Sequence, residues 1–154
     1  MIDRRIRIPR AHASLIDVLC GDKDDHLNGP FKNKASVLGF AAALGASEGD
    51  PISFSETEGD AIRKSVFDRA GYESLINILA VSFTKDPNFL ANSDEMEEKR
   101  AQIFEGYANR GLNKLQNILI GENDYMNCIR LLILRKRLKT EHSTVGINIT
   151  SLIQ

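Results

Sequence analysis

Tryptophan is absent from this 154-residue chain, and phenylalanine and tyrosine together number only ten. A core built on large rings is thereby excluded. The interior must rest on Leu, Ile, Val and Ala, a composition that leans towards helices. Cysteine occurs only at Cys20 and Cys128, each inside an apolar pattern and neither with a CxxC partner. That spacing offers no disulfide framework and no paired-cysteine zinc site, and it predicts two buried free thiols in a reducing cytoplasm. No apolar run approaches the roughly 20 residues that a membrane span needs. The N-terminal charges are not followed by an apolar stretch, so a signal peptide is not expected either.

An excess of one charge is also missing, because the net charge is −1. Its distribution is uneven. Residues 1–10 sum to +3 through Arg4, Arg5, Arg7 and Arg10 against Asp3, and residues 130–139 sum to +5. The stretch between them sums to −8. Basic ends around an acidic middle permit local contact with an anion, and they equally serve solubility and attraction between chain segments.

Nucleotide and hydrolase signatures are lacking: there is no GxxxxGK[ST], no GxSxG and no HExxH. His12, His26 and His142 are scattered without ligand spacing and read as surface histidines, so no metal and no cofactor is expected. Asp86, Glu97 and Lys99 have the D…ExK order of many metal-dependent nucleases. Such a site needs its groups to converge on a metal ion. Here Glu97 and Lys99 fall two apart in a predicted helix, about 200° apart around its axis, so they point away from each other. Acids at a helix start already have a role there, opposite the macrodipole.

The patterns that are present describe a mainly α, single compact helical domain over 1–139 with a short N-terminal β-strand, and a C-terminal tail over 140–154. In IDRRIRI, Ile6 and Ile8 alternate with Arg5 and Arg7, a strand with one apolar and one basic face. Pro9 ends it and starts a helix from Arg10 to Cys20, with Gly21 as its cap. A polar loop over 21–32 follows. Asn33 caps a helix ending at Gly45, in which Val37, Phe40, Ala41 and Leu44 share a face and Gly39 with three alanines leaves room for a close neighbour. Residues 46–60 read as a connection with a brief extended piece at Ile52 and Phe54, and residues 61–69 as a helical turn. Residues 72–83 read as a buried helix with Leu75, Ile76, Leu79 and Phe83 inside. Asn92 and Glu95 have capping-box spacing before a helix from Asp94 to Ile118, with a kink or close contact expected at Gly111. The last helix spans Asp124 to Leu138 with Met126, Ile129, Leu132 and Ile133 inward.

A basic strand followed by two helices has the order of a ribbon–helix–helix module, in which strands paired across a homodimer enter the major groove. That makes Arg4, Arg5, Arg7 and Arg10 the first candidates for DNA contact, with Arg135, Lys136 and Arg137 of the C-terminal basic helix second. A charge-guarded edge strand is the plainer reading. Phe40, Phe104 and Tyr107 are the candidate anchors of a protein interface, although core packing is the commoner role of such rings.

Four phrases, RRIRIPRAHASLIDVL, FKNKASVLGFAAALGASEG, AIRKSVFDRAG and QIFEGYANRGLNKLQNIL, together resemble the small proteins associated with Dnd DNA-phosphorothioation systems. The resemblance covers residues 4–119, and the chain departs from it after about residue 120. It implies a bacterial defence context and an accessory role beside other defence proteins. It carries over no catalytic residue.

Overall fold

The computed structural model describes the backbone of residues 4–21 and 29–151, and side chains in that range up to residue 141. The expected loop around His26 and the side chain of His142 lie outside the described residues. Among the described residues the fold is mainly α, with six α-helices and one two-stranded antiparallel sheet. It comprises two compact units, divided between Ile118 and Leu119.

In the first unit, β1 (Arg5–Ile6) pairs with β2 (Ile62–Arg63), placing Arg5 opposite Arg63 and Ile6 opposite Ile62. The partner strand falls where a helical turn was expected, just ahead of α3 (Lys64–Arg69). The chain after β1 stays zipped to the connection: Pro9 bridges Thr57, and the Arg10 and Glu58 amides donate to the Glu56 and Ile8 carbonyls. Ile52 and Phe54 form no strand, although the Ile52 amide donates to the Gly106 carbonyl. Ribbon–helix–helix geometry would require β1 to pair with its own copy, whereas here it pairs within the chain.

A 3-10 turn (Arg10–His12) leads into α1 (Ala13–Cys20), which buries Ile16 and Leu19 and stops at Gly21, where φ is 72°. His12 is buried, contrary to the surface position expected of it. Its Nε2 lies 2.6 Å from Asn113 Oδ1, an acceptor that satisfies the ring N–H. Asn33 caps α2 (Lys34–Glu48) by accepting from the Ser36 amide at 2.9 Å. The helix runs through Gly45 and ends at Gly49, because Gly45 serves packing rather than termination. A Cβ on Gly45 would overlap the Tyr107 carbonyl oxygen, and one on Gly111 would overlap the Ala41 carbonyl. α2 therefore crosses α5 (Asp94–Leu119) backbone against backbone. On the neighbouring turn Gly39 accommodates the Tyr72 ring, 2.6 Å from where a Cβ would stand.

α4 (Glu73–Thr84) buries Ile76, Leu79 and Ala80, while Phe83 is largely exposed, its ring meeting Tyr107 edge-on. A 3-10 turn (Pro87–Leu90) follows, and the buried Arg100 donates to the carbonyls of Phe89 and Ala91, tying this turn to α5. Ser93 caps α5 in place of the expected Asn92, its hydroxyl accepting from the Met96 amide at 3.3 Å. The α5 core face, Phe104, Ala108, Leu112 and Leu115, is buried, with Phe67 of α3 set edge-on against Phe104 at 5.5 Å between ring centres.

The second unit contains a turn at Gly121 and α6 (Tyr125–Ser151), capped by Asp124, which accepts from the Asn127 amide at 3.0 Å. α6 continues well beyond Leu138. No proline interrupts the chain there, and the Arg137–Glu141 ion pair and the Thr140 hydroxyl bond to the Lys136 carbonyl carry the helix onward. Ile129 and Leu132 are buried as expected, but Met126 and Ile133 are exposed. Cys20 and Cys128 are free and half-buried rather than enclosed.

Candidate functional site

The N-terminal arginines do not share one fate. Along an extended chain Arg4 and Arg7 lie about 10 Å apart, and Glu98 and Glu105 are about the same distance apart along a helix. The two spacings match, and the strand is laid along α5. Arg4 pairs with Glu98 and also donates to the Asp94 carbonyl. Arg7 is held more tightly. Its Nε and Nη2 both reach Glu105 Oε2, at 3.1 and 2.7 Å, while its own amide donates to Glu105 Oε1 at 2.7 Å. The Glu105 side chain is only 3% exposed against 43% for Arg7. Hydrogen bonds and charge from Glu105 hold the Arg7 guanidinium even more firmly protonated than usual. The guanidinium also sits 5.3 Å over the Phe54 ring. Arg4 and Arg7 are thus fastenings, with little free charge to offer a ligand.

Arg10 is exposed, with looser approaches to Glu58 at 3.5 Å and Glu56 at 3.9 Å. Arg5 is the outward residue of the four. Its side chain is exposed, and directly across the sheet stands Arg63, also exposed. Sequence reasoning did not single out Arg63. The only available signal was the strand pairing itself, which joins residues 58 apart in the chain.

Of the C-terminal basic group, Arg135 is exposed, Lys136 is half-buried and Arg137 pairs with Glu141 at 3.1 Å. The same helix shows a feature missed in the sequence. It is apolar on two sides. Ile129 and Leu132 are buried, while Leu131, Leu134 and Leu138 form a second stripe, 42%, 46% and 54% exposed. At 100° per residue the exposed stripe is centred about 155° from the buried one, with Arg130 and Arg137 on one flank and Arg135 on the other.

The three candidate interface rings are placed differently again. Phe104 is fully buried, and Tyr107 is nearly so, burial and the Asp50 charge pushing its phenol up. Phe40 is half-buried against Phe31, with ring centres 5.3 Å apart. Asp86, Glu97 and Lys99 have separate local roles. Asp86 caps the 3-10 turn, and Lys99 pairs with Glu95 at 2.6 Å. Glu97 lies in the first turn of α5. Among the described residues no group of three or more His, Cys, Asp or Glu is placed to hold a metal ion. No helix among them is long and apolar enough to cross a membrane.

These features define a small, mainly α protein with a salt-bridged N-terminal strand and a basic helix whose second apolar face is open. The sequence pattern of the family described as DNA sulphur modification system-associated protein 4 matches residues 5–151, nearly the whole chain. The chain belongs to that family. No curated protein and no solved structure matches it.

Proposed function

We propose that this chain is a non-catalytic accessory protein of a DNA-phosphorothioation-linked bacterial defence system, and that it works by docking on another protein of that system through α6. The observation that supports this reading is the exposed Leu131, Leu134 and Leu138 stripe. A surface helix ordinarily needs one apolar face. A second one, left open and bordered by charge, has the form of a seam for a partner helix. Residues 125–141 of α6 carry five cations and one anion. A second copy would set arginine against arginine along the seam, so the complementary partner is an amphipathic helix with acidic flanks. Family membership supplies the setting, because other proteins of the sulphur modification system are the available partners.

The test is binding of the purified chain to each purified protein of that system, followed by calorimetry. One component binds the wild type, and Leu134→Asp with Leu138→Asp weakens it 100-fold or more without changing the thermal midpoint. Undiminished affinity in that variant, or no binding by any component, overturns the reading. A second reading, contact with DNA through the N-terminal strand, is favoured by the outward side chain of Arg5.

A further inference from the structure

We propose that the outer face of α4 is a self-association surface, on which a second copy of this chain docks antiparallel about a two-fold axis at Ile78. The inference is carried by α4 alone and stands apart from both readings above.

From Ser74 to Thr84 the chain reads SLINILAVSFT, a stretch without a charged residue or a histidine. α2 has a comparable run over 35–47, and there burial accounts for it. In α4 only Ile76, Leu79 and Ala80 are buried. Ile78 stands on the opposite side of the helix and is 61% exposed, more than any leucine of the α6 stripe. Ser74 and Ser82 beside it are exposed, and Leu75 and Val81 are half-buried. At 100° per residue all four fall within about 60° of Ile78. A surface helix ordinarily carries charge on its outer side. This one carries an isoleucine framed by aliphatic and small residues, the charge-poor composition of an interface centre.

The pattern also says what covers the face. It reads nearly the same in both directions from Ile78: an aliphatic residue three positions away and a serine four positions away on each side. In a two-fold contact each residue meets its mirror position in the other copy. Ile78 then meets Ile78, Val81 meets Leu75, and Ser82 meets Ser74. The serines are small enough to let the two helices close around the central isoleucines. Glu73 and Lys85 bound the uncharged run. Antiparallel pairing sets the Lys85 end of one helix beside the Glu73 end of the other, opposite in charge, and it opposes the two macrodipoles. A second copy is thus excluded from the basic α6 seam and suited to α4, so the dimer carries two α6 helices.

The experiment is sedimentation equilibrium of the full chain over a concentration series, beside thermal melts of each variant. The wild type passes from monomer to dimer with a midpoint on the order of 10–100 µM, in keeping with a contact only about three helical turns long. Ile78→Asp and Ile78→Lys each weaken the dimer at least about tenfold, because each meets its own charge across the axis. Both keep the melting midpoint of the monomeric wild type, since the side chain already stands in water. An equimolar mixture of the two variants recovers the dimer, because aspartate then meets lysine. A mixture that stays monomeric overturns the axis at Ile78. Leu134→Asp with Leu138→Asp dimerises like the wild type, and loss of the dimer in that variant moves the contact to α6 and overturns the proposal. A wild type that stays monomeric throughout the series overturns it too and leaves the face to a different protein. So does a wild-type dimer that Ile78→Asp leaves intact.

Discussion

The Cα of Gly111 sits against the carbonyl of Ala41, leaving no volume between α2 and α5 for even one methyl group. Both obstructing groups are backbone, so neither can swing aside as a side chain would. Gly111→Ala must push two helices apart across the middle of the core. The expected loss is about 3 kcal/mol or more, at the upper end of overpacking costs. Urea unfolding checks it. A loss below 1 kcal/mol would mean that the helices slide past one another at this crossing.

The Glu105 carboxylate serves the backbone and the guanidinium of Arg7 together. Glu105→Ala strands the Arg7 amide and charge and is expected to cost about 2–4 kcal/mol, reduced from the fully buried figure because Arg7 is partly in water. Glu105→Gln keeps an acceptor for the amide and should cost clearly less. Amide hydrogen exchange at Lys64, whose N–H donates to the Arg4 carbonyl, should accelerate in the same order. Equal exchange in both variants would show that the strand is held by its apolar residues alone.

Asn33 closes the first turn of α2 through the Ser36 amide and hydroxyl. Asn33→Ala should lower stability by about 1 kcal/mol, and Asn33→Asp should largely preserve it. Chemical denaturation of the three forms gives the ordering directly.

Both cysteine thiols are pushed up, Cys20 by burial foremost and Cys128 by burial and then by the Glu122 and Asp124 charges. A raised thiol holds less thiolate at a given pH, and the thiolate is the nucleophile. Iodoacetamide should therefore alkylate both more slowly at pH 7.5 than it alkylates a free cysteine. The rate should still be climbing at pH values where a free thiol has levelled off. Rates equal to those of the unfolded chain would contradict the stated environments.

Much of the helical framework was legible because its signals are local. Asn33 three residues before Ser36, Gly21 after an apolar run, and the apolar repeat of α5 all act within one or two turns. The thin surface of α2 and the weak point at Gly111 were likewise readable as places for close approach. The errors share the opposite property. His12 reads as a surface residue until Asn113 is beside it, 101 positions away. Arg4 and Arg7 read as free charge until α5 presents Glu98 and Glu105. Met126 and Ile133 read as inward because hydropathy cannot tell which of two apolar sides of a helix is buried.

Composition, capping residues and helical periodicity determined by themselves that this chain is mainly α with a basic strand at its start, since each depends on neighbours within a turn and on average burial. Its match to a family follows from sequence as well. Tertiary structure alone decided which arginines are spent on carboxylates and which face water, that Arg5 stands opposite Arg63, and that α6 keeps a leucine stripe uncovered. The physical reason is that an ion pair, a strand register and an exposed face are each set by groups far apart in the chain, and folding brings them to one place.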